Sequence, residues 1–371
     1  MKLLIKGGRV WNATRTFEEN CSVLIEDGKI VSVGADADAD EILDAEGLTV
    51  LPGLVDVHTH GRAGFDFNTA TYEQMEQMKA DYARNGVTTV FPTLASATET
   101  EWIRSIESIQ ACGFDGIHLE GCYLNPAKRG AHAPELLIPL ESDSLERILK
   151  QITVPCHLSA AFELDSAGSF AETARRYGVT MGLGHTAATA EEAKRAMSRG
   201  VTSFTHLYTA MPTLHHREGG AVSVALNSDG AWVEVIADGE HICPDMVKLA
   251  WRCKPKERFV LITDSMEATG CADGEYAIAG QKVIVKNGRA ETLDGALAGS
   301  TLNLWQGVKN FMQFTGASLE DAVACATLNP AEMVGVGDKV GSIESGKRAD
   351  LLLIDDAYSI KGVIAAGKKV M

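Results

Sequence analysis

Short apolar segments alternate with amphipathic segments through the middle of the chain, between residues 51 and 339. The apolar segments have the length of strands and are rich in β-branched residues, a pattern typical of strands buried on both faces. They lie at 54–58, 88–92, 117–120, 154–159, 180–185, 203–206, 234–237 and 259–264. The amphipathic segments 72–85 and 190–199 are each followed by glycine, as helices commonly are. Eight strands that alternate with helices predict an α/β protein with a closed, TIM-type (β/α)8 barrel.

The two chain ends have a different pattern, in which short apolar segments are separated by turns. The N-terminal segments are 2–5, 21–26 and 29–33, and the C-terminal segments are 341–344, 350–354 and 360–370. Neither end is long enough to bury a core alone, so we expect the two ends to pack together. The sequence therefore predicts a small, discontinuous β-sandwich domain from residues 1–50 and 340–371, and a barrel domain from residues 51–339.

A doubly wound open sheet is the main alternative to the barrel. That fold would need a glycine-rich phosphate loop after its first strand. The residues after the first strand are Gly61-Arg62-Ala63-Gly64, which lack this spacing and follow two histidines. The barrel is therefore the preferred prediction, with an additional hairpin at 276–285 in its last loop.

Composition narrows the class of protein. The chain has 371 residues, of which 45% are hydrophobic and 23% are charged, as in ordinary globular proteins. Its net charge of -16 argues against a nucleic-acid partner, because nucleic acids are themselves anions. No apolar run approaches the roughly 20 residues of a membrane span, and the first apolar run is too short for a signal peptide. The eight cysteines are scattered without a C-x-x-C pair, so we expect reduced thiols in a cytoplasmic protein with no membrane partner.

Ionisable residues collect at the predicted carboxyl ends of the strands, where functional side chains gather in barrels of this type. Side chains two positions apart on a strand share a face, so the two histidines that end the first strand point into one space. Neutral imidazoles and carboxylates are suitable ligands for zinc or ferrous iron. The sequence therefore predicts a divalent-metal site among residues at five strand ends: His58, His60, Glu120, His185, His206 and Asp264.

Five other ionisable residues have simpler interpretations. His118 is either a buried, hydrogen-bonded core residue or a partner of a ligand, and we do not predict it as a ligand. His157 is predicted to be structural, His215 to lie in a loop, and Glu163 to be a solvated loop carboxylate. Asp56 is also expected to be structural and to orient the first pair of histidines.

Longer runs of sequence surround the predicted ligands. They include Leu51-Pro-Gly-Leu-Val-Asp-Val-His-Thr-His-Gly, His118-Leu-Glu-Gly, Lys128-Arg-Gly-Ala-His132, Gly184-His-Thr-Ala-Ala-Thr, Thr205-His-Leu-Tyr-Thr-Ala-Met-Pro, Ile236-Ala-Asp-Gly-Glu-His241 and Leu297-Ala-Gly-Ser-Thr. The tail from Val340 to Leu351 looks like the closing strands of the amidohydrolase superfamily. Nearly the whole chain resembles the N-acetylglucosamine-6-phosphate deacetylase family within that superfamily.

The resemblance implies an enzyme of amino-sugar catabolism. Such an enzyme removes the acetyl group of N-acetylglucosamine 6-phosphate and releases acetate and glucosamine 6-phosphate. Glu120, His185 and His206 match the constant metal ligands of the family, and His58 and His60 match the pair that holds a second metal in some members. The implied cofactor is one or two divalent ions, with zinc preferred over iron.

The resemblance also implies how the substrate is bound. Asp264 matches the residue that acts as general base and acid. Arg217 is the implied phosphate clamp, because a guanidinium pairs with phosphate at two points. His132 and His241 are implied contacts to sugar or phosphate oxygens, and the family implies a homodimer or a higher homo-oligomer, because part of its pocket lies near a subunit interface. The remaining implied pocket residues are Ala131, Thr209, Ala210, Leu297, Ala298 and Gly299.

Some positions depart from the family pattern. Cys122 stands where the family usually has proline, which predicts a looser turn beside the metal. Thr209 stands where the family usually has asparagine, and the loop at 213–216 before Arg217 is unusual. These changes surround the sugar rather than the metal, so N-acetylgalactosamine 6-phosphate or another N-acyl amino sugar stays open as the substrate.

Two other functions are weighed against the deacetylase. A cyclic amidase of the dihydropyrimidinase type would carry a carboxylated lysine on the fourth strand, and residues 154–160 contain no lysine. A non-catalytic scaffold on the same fold would be expected to have lost metal ligands or the base. Every one of those positions is filled here, which favours an enzyme.

Overall fold

The structure is a computed structural model that describes residues 2–12, 14–34 and 36–371. Within these residues, eight parallel strands pair in chain order around a barrel. Past its last strand the barrel closes through the Asp264 N–H, which donates to the His58 carbonyl at 2.9 Å, and the His60 N–H, which donates to the Ser265 carbonyl at 2.7 Å. The predicted (β/α)8 barrel is confirmed. Its strands are β1 Leu54–Thr59, β2 Val87–Leu94, β3 Ile117–Glu120, β4 Cys156–Ala160, β5 Thr180–Leu183, β6 Ser203–Phe204, β7 Trp232–Ile236 and β8 Phe259–Ile262.

Helices surround the barrel and begin at side-chain caps that the sequence contains. The hydroxyl of Thr71 accepts from the Gln74 N–H at 3.3 Å, and the Gln74 side chain accepts from the Thr71 N–H at 2.8 Å, which is a capping box. Thr98 and Thr189 begin their helices in the same way. The helices are α1 Tyr72–Arg84, α2 Glu99–Ala111, α3 Ser142–Leu149, α4 Ser169–Arg176, α5 Ala190–Ser198, α6 Gly220–Asn227, α7 Pro244–Cys253, α8 Leu304–Thr315, α9 Leu319–Cys325 and α10 Leu328–Met333.

Three barrel strands end two residues earlier than the sequence pattern predicts. Strands β5, β6 and β8 end at residues 183, 204 and 262, whereas the apolar segments continue to 185, 206 and 264. The reason is local, because His185, His206 and Asp264 have φ values of 45°, 31° and 50°. Backbone at positive φ leaves the extended region, so the strand cannot continue through these residues.

The two chain ends form one mixed sheet. Strand Thr49–Pro52 joins them, because it pairs in parallel with Lys2–Trp11 and antiparallel with Leu351–Ile354. The bounds of the two domains stay a prediction. The other strands of the sheet are Phe17–Glu26, Lys29–Gly34, Glu41–Asp44, Ile360–Ala365 and Lys368–Lys369.

The predicted strand at 341–344 is wrong. Gly341 has φ +90°, and a Cβ there would lie 3.0 Å from the Thr327 carbonyl oxygen, so the chain turns against α10 at this point. Ile343 is still 2% exposed and packs in the core of the mixed sheet. The apolar pattern therefore predicted burial correctly but not the strand.

A small antiparallel sheet follows β8 and lies beside the mouth of the barrel. Its strands are Gly274–Ile278, Gln281–Lys286 and Arg289–Thr292. Asn287 and Gly288 have φ values of 52° and 75°, as the two central residues of a type I′ turn require. This sheet contains the predicted hairpin. Of the helices in the described part of the chain, none has the length and the apolar character that a membrane span requires.

Candidate active site and metal centre

The structure places the six residues of the predicted metal site next to one another at the carboxyl end of the barrel. His58 and His60 lie at the end of β1, and Glu120 is the last residue of β3. His185, His206 and Asp264 each lie two residues beyond a strand, at the positive φ values described above. All six are between 0% and 7% exposed. We call these residues the cluster.

Glu120 lies at the centre of the cluster. Its Oε2 is 3.1 Å from His58 Nε2 and 3.0 Å from His60 Nε2. Its Oε1 is 3.3 Å from His185 Nε2 and 2.9 Å from His206 Nε2. The two oxygens of one carboxylate thus face two separate pairs of histidines.

Asp264 lies on the His58–His60 side of the cluster. Its Oδ1 is 3.2 Å from His60 Nε2 and 3.6 Å from His58 Nε2. Burial would raise the pKa of Asp264, but the adjacent imidazoles outweigh burial and lower this pKa to about 2. The Asp264 carboxylate is therefore ionised near neutral pH.

The charges in the cluster suit a cation. Among the described residues, Glu120 and Asp264 form ion pairs with imidazoles and with no lysine or arginine. The donor atoms fall into two groups, His58–His60–Glu120–Asp264 and Glu120–His185–His206, in which all atoms lie within 4.8 Å of one another. Imidazole nitrogens and carboxylate oxygens bind divalent first-row metals well. The cluster therefore fits a divalent metal.

Two buried residues below the cluster behave as the sequence suggests. Asp56 is 0% exposed and accepts from the Thr263 hydroxyl at 2.6 Å and from the His58 N–H at 3.4 Å. His118 uses both ring nitrogens away from the cluster, with Thr93 Oγ1 at 3.0 Å and Ser159 Oγ at 2.8 Å. Asp56 thus connects β1 to the end of β8, and His118 is a hydrogen-bonded core residue.

Glu163 differs from its prediction as a solvated loop carboxylate. It is half-buried, and its Oε1 accepts from the Asn125 amide at 2.9 Å and from the Ala187 N–H at 2.8 Å. Glu163 therefore ties together the loops that follow β3, β4 and β5. This contact depends on loops from three strands, so the local sequence could not indicate it.

A cavity of about 340 Å³ opens above the cluster. Ala298 is 1% exposed and does not line the cavity. Arg217 lies outside the lining on an exposed loop, where its Nη1 is 2.8 Å from His216 Nε2. The predicted pocket residues that do line the cavity are Ala131, His132, Thr209, Ala210, His241, Leu297 and Gly299.

His132 and His241 are each held by a neighbour through Nδ1. His132 Nδ1 is 2.9 Å from the hydroxyl of Ser96, and burial lowers the pKa of His132 to about 3, so the ring is neutral. The Ser96 N–H donates to this Nδ1 at 3.4 Å, so the ring proton is on Nε2, which is free to donate into the cavity. Burial opposes protonation of His241, but Asp238, whose Oδ2 is 2.7 Å from Nδ1, outweighs burial and raises the pKa of His241.

Sequence reasoning missed two residues that contribute to the cavity. Lys128 lines it and donates from Nζ to the Met211 carbonyl at 3.1 Å. A signal was present, because Lys128 lies four residues before His132 within one of the quoted motifs. Ser96 has no comparable signal, because its contact with His132 depends on how the loops after β2 and β3 pack together.

Cys122 has a backbone conformation that proline cannot adopt. Its φ is +61°, whereas the proline ring holds φ near -65°. The turn is well tied, since the Cys122 N–H donates to Ser96 Oγ at 2.9 Å and its Sγ lies 3.2 Å from the Ala97 carbonyl oxygen. Burial raises the pKa of the Cys122 thiol to about 11, so it is not a reactive thiolate at neutral pH.

Comparison with known proteins agrees with this architecture. Residues 49–370 match the amidohydrolase family, and the chain belongs to that family. The chain is 35% identical to an N-acetylgalactosamine-6-phosphate deacetylase of Escherichia coli O157:H7, over 88% of each chain. It is 32% identical to an N-acetylglucosamine-6-phosphate deacetylase of Vibrio furnissii, over 96% of this chain and 92% of that one.

A solved structure is also similar over its full length. It is a mutant N-acetyl-D-glucosamine-6-phosphate deacetylase from Mycobacterium smegmatis in complex with N-acetyl-D-glucosamine-6-phosphate. The TM-score is 0.93 at 32% identity, and the match covers 100% of this chain and 99% of that chain. The fold of this protein therefore has a close structural counterpart.

Proposed function

We propose that this protein is a metal-dependent hydrolase that removes the acetyl group from N-acetylglucosamine 6-phosphate. The products are acetate and glucosamine 6-phosphate, as expected in amino-sugar catabolism. The observation that carries the proposal is the buried cluster, which holds an ionised carboxylate at the base of a cavity of about 340 Å³. Cavities of this size are typical of small-molecule sites.

We assign the metal ligands by position in the cluster. Glu120, His185 and His206 would hold one ion, and His58 and His60 are available for a second. A divalent metal, zinc in preference to iron, would polarise the amide carbonyl and lower the pKa of a water molecule. The two oxygens of the Glu120 carboxylate each face one pair of histidines, which supports a site for either one or two ions.

Proton transfer is assigned to Asp264. Its ionised carboxylate would accept a proton from water as the new C–O bond forms at the acetyl carbon. It would return that proton to the nitrogen as the C–N bond breaks, so that the sugar leaves as an amine. His132, which has Nε2 free to donate, is assigned to hold a substrate oxygen during this step.

Phosphate recognition requires cations, and this chain brings Lys128 to its own cavity. Arg217 keeps its assignment as a phosphate clamp, but it lies on an exposed loop outside that cavity. Its role therefore requires movement of the loop or a second subunit. We propose a homodimer in which the loop at 213–218 reaches the cavity of the partner subunit.

A second candidate substrate is N-acetylgalactosamine 6-phosphate. It is favoured by the 35% identity to the deacetylase of that substrate from Escherichia coli O157:H7. Thr209, which replaces the usual asparagine, lines the cavity, and its hydroxyl is buried with no hydrogen-bond partner among the described residues. The side chain at this position therefore helps to shape the wall against which the sugar would lie.

Acetate release from a panel of four sugars tests these assignments. The panel consists of N-acetylglucosamine and N-acetylgalactosamine, each with and without the 6-phosphate. We expect kcat/KM to be highest for N-acetylglucosamine 6-phosphate and at least about 100-fold lower without phosphate, because a charge-assisted contact is lost. A higher kcat/KM for the galactosamine epimer would favour the second candidate. If the metal-loaded protein released acetate from none of the four sugars, both candidate functions would be rejected.

A cytoplasmic location is part of the proposal. Each of the eight cysteines lies within the described residues and is a free thiol. Free thiols in this number suit a reducing compartment. Fractionation of cells that express the protein at its natural level tests this location.

A further inference from the structure

One carboxylate lies inside the barrel, below the cluster, and has no part in the function proposed above. Glu234 lies in the middle of β7, within the otherwise apolar run Trp-Val-Glu-Val-Ile, and is 0% exposed. Burial of a carboxylate is costly unless partners offset its charge. Among the described residues, its ion-pair partners are two imidazoles and no lysine or arginine.

The first partner of Glu234 is His58. Oε2 of Glu234 is 3.3 Å from His58 Nδ1, and both side chains are 0% exposed. The other nitrogen of the same ring, Nε2, faces Glu120 at 3.1 Å and Asp264 at 3.6 Å. An Nδ1–H that donates to Glu234 leaves Nε2 with its lone pair directed at the cluster.

The second partner, His157, lies on the other side of the carboxylate, within ion-pair distance but without the geometry of a hydrogen bond. Its Nε2 is 3.2 Å from Oε1 of Glu234, and its Nδ1 is 2.9 Å from the hydroxyl of Thr180 on β5. His157 lies on β4, so Glu234 spans the barrel interior between β1 and β4. Packing on both sides leaves the carboxylate little freedom to turn away from His58.

The other histidines of the cluster do not share this arrangement. His185 Nδ1 lies 2.8 Å from the Lys128 carbonyl oxygen, so backbone orients that ring. His60 Nδ1 and His206 Nδ1 are buried with no hydrogen-bond partner among the described residues. Within the cluster, His58 is thus the histidine whose outer nitrogen faces a carboxylate.

We propose that Glu234 is a positioning residue that fixes His58 as a metal ligand through Nε2. A carboxylate on the outer nitrogen of a ligand histidine sets the tautomer, fixes the ring and makes the ligating nitrogen more basic. The inference rests on the metal site proposed above but not on the identity of the substrate. It predicts that Glu234 affects metal binding in the absence of any sugar.

Titration of the metal-free protein with Co²⁺ tests the proposal, using the visible absorption band of the bound ion. We expect Glu234→Gln to lower the affinity for the Co²⁺ ion that contacts His58 about 10-fold, and Glu234→Leu to lower it about 100-fold. Both substitutions should also change the absorption band. The graded loss is expected because glutamine keeps an acceptor oxygen without the charge, whereas leucine keeps neither. Circular dichroism of each variant confirms that it is folded.

Asp165→Asn is the matched control. Asp165 is also a buried carboxylate, at 4% exposed, but it accepts from the Gly168 and Ala171 N–H groups at 2.8 and 3.0 Å and does not touch the cluster. The Asp165→Asn variant should keep the wild-type Co²⁺ affinity and spectrum.

Wild-type affinity and spectrum in Glu234→Gln would overturn the proposal. Equal Co²⁺ affinity in the wild type and in His58→Ala would also overturn the proposal, because His58 would then not be a ligand. If the wild type binds Co²⁺ as expected but releases no acetate from the sugars, the result counts against the proposed function alone.

Discussion

At the residue scale, the cluster depends on three residues with unusual backbone. His185, His206 and Asp264 all have positive φ, which costs a non-glycine residue about 1 kcal/mol or more. Each lies two positions beyond a strand, so the same local turn recurs at β5, β6 and β8. The surrounding packing maintains this conformation, and the turns direct the three side chains toward Glu120.

Asp264→Asn should lower kcat by about 100-fold to 10,000-fold, because an amide cannot accept the proton from water. The ion held by Glu120, His185 and His206 should remain, since none of these residues changes. Steady-state kinetics and metal analysis of the purified variant check both statements. Asp165→Asn serves again as a carboxylate-to-amide control. A wild-type kcat in Asp264→Asn would contradict the assigned role.

At the element scale, Arg348 connects the mixed sheet to the barrel. It forms an ion pair with Asp115 and a second with Asp350, whose Oδ2 is 2.5 Å from Nε. Its Nη2 donates to the Thr88 carbonyl at 3.1 Å and to the Thr89 hydroxyl at 2.7 Å, both at the start of β2. One guanidinium thus joins the segment before Leu351–Ile354 to the first part of the barrel.

Arg348→Met should lower the free energy of unfolding by about 2–4 kcal/mol, because it leaves two shielded carboxylates without a cation. Urea denaturation of the wild type and the variant measures this difference. Arg147→Met is the control, since the Arg147 side chain is 55% exposed and its pair with Glu99 should contribute less than about 1 kcal/mol. Equal effects of the two substitutions would argue against the connecting role of Arg348.

A second contact between elements depends on a titratable group, the ammonium of Lys254. Lys254 caps the end of α7, and its Nζ donates to the Ala225 and Ser228 carbonyls at 3.0 and 2.6 Å, at the end of α6. Burial lowers the pKa of Lys254 from its ordinary 10.5 to about 8. Between those two values the unfolded chain binds more protons than the folded chain, so stability rises with pH.

Lys254→Met should remove this pH dependence. We expect the free energy of unfolding of the wild type, minus that of the variant, to increase by about 1–3 kcal/mol between pH 7.5 and pH 10. Urea denaturation of both proteins across this range provides the measurement, and subtraction cancels the groups that the two share. A difference that stays constant with pH would show that Lys254 keeps its ordinary pKa in the folded state.

At the scale of the whole molecule, charge opposes the proposed substrate. The chain has a net charge of -16, which repels an anionic sugar phosphate at long range. Lys128 at the cavity and a divalent metal in the cluster would offset this locally. Arg217 adds to them only if its exposed loop reaches a cavity.

Co-expression of a phosphate-binding variant with a catalytic variant tests whether Arg217 acts across a dimer interface. Arg217→Ala should raise KM about 10-fold to 100-fold, because a charged hydrogen bond to phosphate is lost. When Arg217→Ala is co-expressed with Asp264→Asn, heterodimers should contain one intact site, which combines Asp264 with Arg217 of the partner subunit. With random pairing, about one quarter of all sites would regain wild-type KM. If Arg217 acts within its own chain, no site should regain it.

The sequence by itself determined the barrel, the joining of the two ends and the six members of the cluster. Strand periodicity and the position of a residue at a strand end are local properties, and parallel strands in a barrel necessarily bring their carboxyl ends together. The tertiary structure alone decided the contact between Glu234 and His58, which are 176 residues apart in sequence. It also decided that Ser96 holds His132, that 341–344 is not a strand, and that Arg217 lies outside its own cavity. These features depend on how the barrel closes and how separate loops pack, which no single segment of the chain specifies.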